Sequence, residues 1–251
     1  VQIIPVTGLP HFKPGDDIAA AIEAALRNQG LTLQSGDVVV AAQKIVSKAE
    51  DRAIRLEDVA ISTAARQLAE TTGKHPALTE LILRESETVM RAKPNLIITR
   101  HRLGHVAANA GIDASNVESR NGEAVLLWPL NPDASAADLR ARLESRFGVQ
   151  IAVIISDSLG RAWRLGTIGT AIGAAGLAPL TDRRGEPDLY GRTLQATLVA
   201  RADELAAAAS LVIGEAAEAT PVAIIRGASY NRVEAAGITA TLRPQSEDLF
   251  T

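Results

Sequence analysis

The sequence predicts a mixed α/β fold, because β-branched strings suited to doubly covered strands alternate along the chain with amphipathic and Ala-rich helical segments. Val38-Val39-Val40-Ala41-Ala42 and Ile151-Ala152-Val153-Ile154-Ile155 are the clearest strand strings. Ile18, Ile22 and Leu26 recur at the spacing of one helix face. The 251 residues are long enough to bury a substantial core, as one compact unit or two packed lobes. No internal repeat, heptad pattern or linker divides them.

In chain order, the apolar opening segment Val1 to Val6 reads as a short strand, and Gly15-Asp16-Asp17 as a turn and cap for the helix that carries Ile18. The strand at Val38 ends in a polar segment, Gln43 to Lys48, read as a turn. Asp58 to Glu70 and Ala77 to Arg91 read as helices separated by Lys74-His75-Pro76, since proline cannot continue the first and suits the start of the second. Leu96 to Thr99 is a strand leading into a loop, His105 to Asn121, rich in residues that tolerate turns. Leu126 to Trp128 reads as a strand, Asp133 as a helix start, and Ile151 to Asp157 as a buried strand whose last residue is a carboxylate. A glycine-rich stretch, Gly160 to Gly191, precedes an Ala-rich helix from Thr197 to Leu211 and a strand from Pro221 to Arg226.

Composition narrows the function. A net charge of -3 leaves no basic footprint for nucleic acid. The absence of cysteine removes disulfides, zinc–thiolate sites, iron–sulfur clusters and cysteine nucleophiles. With 3% aromatic residues, an aromatic-cage binder is not expected. The N-terminus lacks the basic and apolar regions of a signal peptide, and no apolar run approaches the ~20 residues that span a bilayer, so a cytoplasmic protein is expected.

Two acidic segments carry the strongest chemical pattern: Gly111-Ile112-Asp113-Ala114-Ser115-Asn116 and Ser156-Asp157-Ser158. A carboxylate at the end of an apolar strand sits where open α/β sheets bind ligands, and two such groups suit a hard ion, Mg²⁺ or Mn²⁺. Short acidic residues also cap turns, and that structural reading stays open for Asp113, Asp157 and the Ser158 hydroxyl. Lys48 could place a point charge on a nucleotide phosphate, with Gln43 nearby, or be a solvated lysine; the segment is not a P-loop. Arg161-Ala162-Trp163-Arg164 sets two guanidinium groups around an indole, suited to a planar anion or to a structural wedge. His101 and His105 are four apart, a chelating spacing on a helix, but they lie in a strand-to-loop passage. Asp182 to Glu186 reads as a solvated mixed-charge turn, or as one that could gate a site.

Together these segments closely resemble the coenzyme F420-0:L-glutamate ligases, or F420-0 gamma-glutamyl ligases. The resemblance runs through Gly8-Leu9-Pro10, Pro14-Gly15-Asp16-Asp17, Lys44-Ile45-Val46-Ser47-Lys48-Ala49-Glu50, Asn109 to Asn116, Asp157 to Arg164, Ala202 to Ala208 and Pro221 to Gly227. It implies one ligase unit over 1–251, with a family-specific α/β fold of two packed lobes and an intertwined homodimer. The implied reaction uses GTP to join L-glutamate to the lactyl carboxylate of F420-0, through an acyl phosphate, because carboxylate and amine do not condense readily in water.

By position, the resemblance assigns Asp113 and Asp157 to one divalent ion and Ser158 and Glu215 to a second, and it adds a monovalent cation such as K⁺. Asp113, Asp157 and Lys48 would then serve catalysis, and Leu9, Pro10, His11, Phe12, Gln43, Lys48 and Asn116 would contact GTP. Ser158 and Ala162 stand where relatives often have Thr and Pro; the first keeps the hydroxyl and the second alters loop stiffness. Glu215 occupies a position of variable identity. Two other readings remain open: a ligase of the same fold with a different carboxylate acceptor, and a non-catalytic nucleotide-binding module.

Overall fold

The computed structural model describes residues 1–115 and 123–248. Along the chain run β1 (Gln2–Val6), α1 (Ile18–Asn28), β2 (Val38–Ala42), α2 (Gln43–Ala49), β3 (Ala53–Arg55), α3 (Thr63–Thr72), α4 (Pro76–Arg84), β4 (Ser86–Lys93), β5 (Leu96–His101), β6 (Val106–Ala108) and β7 (Ala124–Leu126). They are followed by α5 (Pro132–Phe147), β8 (Ala152–Arg161), β9 (Arg164–Ala175), β10 (Thr181–Asp182), β11 (Leu198–Val199), α6 (Arg201–Ile213) and β12 (Val222–Arg226). The mixed α/β expectation holds.

The main sheet has the order β1-β12-β2-β8-β9. Its one parallel pair joins β2 to β8, from Val38 opposite Ala152 to Ala42 opposite Ser156. Val38 to Ala41 and Ile151 to Ile155 are buried because both sheet faces are covered. Val39, Val153 and Ile155 pack with Ile22 and Leu26 of α1 and Leu139 and Leu143 of α5 on one face. Val38, Val40 and Ile154 pack with Ala202, Leu205, Ala206 and Ala209 of α6 on the other. Pro5 is tolerated because β1 is an edge strand.

β9 lies within the glycine-rich stretch expected to be punctuation. Its glycines serve close packing: a Cβ on Gly169 would meet the Ala206 carbonyl oxygen of α6 at 2.5 Å, and one on Gly173 would meet the Pro132 backbone of α5 at 2.4 Å. The lack of side chains at these two points lets helices press on both faces of an edge strand.

A second group of elements holds smaller cores. Leu56, Val59, Ala77, Leu81, Val125 and Leu127 pack around α4, and Ile82, Ile97 and Ala110 beside the sheet β4-β5-β6. Three helical expectations change here. The helix expected from Asp58 begins at Thr63, where the Ser62 hydroxyl caps it by accepting from Ala65 N–H. The helix expected to reach Arg91 stops at Arg84, since pairing with β5 claims Ser86 to Lys93 as strand. The helix expected from Thr197 begins at Arg201, after β11.

The two groups meet at Glu85. Its carboxylate faces Arg102 Nε at 3.1 Å, Arg52 at 3.3 Å and His101 Nε2 at 3.4 Å, the last too long for a well-formed hydrogen bond. Burial pushes the Glu85 carboxyl up, but His101, Arg102 and Arg52 together bring it down to about 2 from 4.5. A depressed acid stabilises the fold above its unfolded value and loses that contribution as pH falls through the folded one. Glu85→Gln is therefore expected to cost about 3 kcal/mol at pH 7, because two guanidinium groups lose their counter-charge. The gap to wild type in chemical denaturation should narrow between about pH 4.5 and 2. A gap independent of pH would sink this assignment.

Candidate active site

β1, β2 and β8 run in the same direction, because β1 and β2 both lie antiparallel to β12 and β2 is parallel to β8. Their carboxyl ends therefore open onto one edge, the place where α/β sheets bind ligands. From β1 the chain enters the loop Leu9-Pro10-His11-Phe12, held by buried Phe12 and half-buried Leu9 against the core, with Pro10 and His11 exposed. From β2 it passes directly into α2, which corrects the expected polar turn. Gln43 and Lys48 thus sit at the two ends of a short helix.

Gln43 is buried; its Oε1 accepts from the Ser47 hydroxyl at 2.7 Å, while its Nε2 has no partner among the described residues. Lys44 is a functional candidate that sequence reasoning passed over. Its ammonium lies 2.6 Å from Asp113 Oδ2 and 2.9 Å from Ser115 Oγ. The spacing of Lys44 and Lys48, one helical turn apart, was the available signal. Asn116 lies outside the described residues.

Asp157 does not end its strand, because β8 continues to Arg161. Strand alternation puts it on the face of Val153 and Ile155, toward α2 and Trp128, next to a register shift where β9 carries an extra residue. Oδ2 accepts from Trp128 Nε1 at 2.7 Å and Oδ1 from the Ser158 backbone N–H at 2.8 Å. The residue as a whole is half-buried, but its carboxylate lies deep. Burial pushes it up; the Trp128 and Ser158 donors pull it down, nearby Asp113 pushes it up again, and the result is about 6 against 3.8. Burial also pushes Asp113 up, yet Lys44 and Ser115 hold it below its usual range. The two carboxylates feel each other's charge and are biased in opposite directions.

Ser158, one residue on, faces the other side of the sheet, where its hydroxyl donates to Glu215 Oε1 at 2.7 Å, just beyond α6. The structure thus forms two groups, Lys44–Asp113 with Trp128–Asp157, and Ser158–Glu215. No group of three potential metal-ligating His, Asp or Glu side chains occurs among the described residues. The two carboxylates of the first group offer only oxygen ligands, which fits a hard cation, and among the described residues the groups bonded to Asp157 are neutral donors.

His101 and His105 belong to the core. Their backbones close a turn, and their rings pack on Trp128 with centroids 4.7 and 5.6 Å away. Trp163, with Arg161 and Arg164, forms the exposed tip of the β8–β9 hairpin rather than a pocket. Asp182 to Glu186 is solvated as expected, with Arg184 paired to Asp182 and Arg183 to Glu186.

A doubly covered α/β sheet with Gln43, Lys44 and the Asp113–Asp157 pair beside the carboxyl end of β2 is the architecture in which α/β proteins place ligand sites. The chain matches the family described as F420-0:Gamma-glutamyl ligase over residues 8–227, and it belongs to that family. It is 48% identical over 251 residues to the coenzyme F420:L-glutamate ligase of Methanothermobacter thermautotrophicus, covering all of this chain and 98% of that protein. Similar proteins of that same name occur in Methanopyrus kandleri, 45% identical with 100% and 97% covered, and in Archaeoglobus fulgidus, 40% identical with 100% and 96% covered. No described helix is long and apolar enough to cross a membrane.

Raised acids follow a definite linkage. Between 3.8 and about 6 the folded state holds the Asp157 proton more tightly than the unfolded chain, so this group favours folding at low pH and stops doing so as pH rises. In metal-free protein, the Asp157 carboxyl carbon, identified through Asp157→Asn, is expected to titrate in its ¹³C resonance with a midpoint near 6. A midpoint at or below 3.8 would refute the described environment.

Proposed function

We propose that this protein is a metal- and GTP-dependent ligase that forms an amide between L-glutamate and the lactyl carboxylate of F420-0, in coenzyme F420 biosynthesis. The observation that carries the reading is the Asp113–Asp157 pair beside the carboxyl end of β2, with Lys44 on Asp113 and, among the described residues, no ion-pair partner on Asp157. Its support from outside the structure is the end-to-end similarity to proteins named coenzyme F420:L-glutamate ligase.

In this reading the substrate carboxylate takes the terminal phosphoryl group of GTP, releasing GDP and leaving an acyl phosphate. The glutamate amine then attacks the acyl carbon, with loss of phosphate and a proton. A divalent cation, Mg²⁺ or Mn²⁺, held by Asp113 and Asp157 would offset the charge of the phosphate and carboxylate reactants. Ser158 and Glu215 are the pair proposed for a second ion. Lys44 and Lys48 add positive charge on the α2 side, and the Leu9 to Phe12 loop, Gln43 and Asn116 are proposed to hold the nucleotide. The buried Gln43 Nε2, which has no partner among the described residues, supports its part in this.

We also propose a homodimer. Leu165 and Leu189 are 99% exposed, and Trp163 and Tyr190 lie nearly as open, on the β8–β9 hairpin tip and the 181–199 arm. Such apolar exposure fits a surface covered by a second copy. Replacing Leu189→Asp together with Tyr190→Asp is expected to turn a sedimenting dimer into a monomer, whereas an unchanged sedimentation coefficient would exclude the arm as the interface.

Purified protein given Mn²⁺ or Mg²⁺, GTP, L-glutamate and F420-0 is expected to yield glutamylated F420 by mass spectrometry. Asp113→Asn and Asp157→Asn should each lower turnover at least ~100-fold with the circular dichroism spectrum retained. No product from verified substrates would refute the reading, and unchanged turnover in both variants would refute the role of the pair.

A further inference from the structure

Both carboxylates of the candidate site depend on one short segment, Leu126 to Trp128. Asp113 exchanges two backbone hydrogen bonds with Leu126, at 3.0 and 2.7 Å. Two residues later, just past the end of β7, the Trp128 indole donates to Asp157. The indole has little freedom. It is fully buried, with His101 and His105 packed on it, and its backbone carbonyl accepts from Arg52 Nε at 2.9 Å. Gly111 closes the remaining side, where an added Cβ would lie 2.2 Å from the indole Cε2. Gly111 also has φ +66°, which favours glycine, and precedes Asp113 by two residues.

A buried indole N–H needs an acceptor, and a backbone carbonyl would serve without the cost of placing a carboxylate beside a second one. A phenylalanine would fill most of that volume and need no acceptor. The selected arrangement therefore does something for Asp157. Each carboxylate oxygen has one fixed donor, Trp128 Nε1 or Ser158 N–H, so the group is held against rotation and keeps unused lone pairs on both oxygens.

We propose that Trp128 is a positioning residue of the active site, holding the Asp157 carboxylate in plane and, through Leu126, in fixed register with Asp113, so that the pair presents one cation site. This rests on the proposed reading of Asp113 and Asp157 as cation ligands. Donors behind a metal ligand commonly control affinity by ten- to a hundredfold.

The chain has only two tryptophans, so Trp163→Phe leaves Trp128 as the single indole. In that protein, Mn²⁺ alone is expected to quench the emission saturably, since the ion would bind within a few ångströms of the ring. Biosynthetic replacement of Trp128 by its benzothiophene isostere then removes the N–H and keeps the shape. Free Mn²⁺ measured by electron paramagnetic resonance should report binding at least ~10-fold weaker, with circular dichroism unchanged. Gly111→Ala, which forces the ring to move, should weaken Mn²⁺ similarly, while Leu143→Ala, a truncation elsewhere in the same core, should lower the melting temperature and leave Mn²⁺ affinity as it was. Equal Mn²⁺ affinity with and without the N–H overturns the positioning role while leaving the cation site intact. Failure of the unsubstituted protein to bind Mn²⁺ overturns the cation reading and the positioning role with it.

Discussion

The parallel pairing of β2 with β8 is the constraint on which the rest of the structure depends. Parallel neighbours expose no face to solvent in folds of this kind, so the pair requires α1 and α5 on one side and α6 on the other. It also sends both strands out at the same edge. α2 with its lysines and Asp157 are brought together by that geometry, although they are more than a hundred residues apart in the chain. The edge strands serve the same arrangement: β1 delivers the Leu9 to Phe12 loop to that end, and glycines in β9 allow the covering helices to approach.

Two acidic environments in the molecule illustrate how burial is made tolerable. At Glu85, two guanidinium groups more than offset desolvation, and the carboxyl stays ionised far below the usual range. At Asp157 the donors are neutral, the nearest charge of like sign is Asp113, and desolvation prevails. The first pattern is that of a structural junction, satisfied within the protein. The second has no ion-pair partner among the described residues, an environment more common at functional sites than at structural junctions. The two are physically joined, since Arg52 bonds both Glu85 and the carbonyl of Trp128, whose indole holds Asp157.

Much was legible in the chain because local rules and the final fold agree. The apolar strings at Val38 and Ile151 became buried strands, the Asp17 side chain caps α1, and proline opens α4. Local rules failed where long-range pairing decided the outcome. Thr88 and Val89 sit in a helical-looking run but pair with β5, and Gly169 and Gly173 look like loop residues but are the small residues of a packed strand. Likewise, the His101 and His105 spacing suggests a chelate only on a helix, whereas the fold uses both rings to wall in Trp128.

By itself the sequence determined the fold class, the absence of thiol chemistry and nucleic-acid charge, and the identity of the two acidic segments, because these follow from composition, periodicity and unusual strings in fixed order. Only the tertiary structure decided which groups meet. Alternation along β8 sends Asp157 toward α2 and Ser158 toward Glu215, so neighbours in sequence serve different sides of the sheet. Lys44 rather than Lys48 reaches Asp113, and Trp128 holds Asp157. Side-chain direction and long-range distance are consequences of strand register and packing, and no local pattern encodes them.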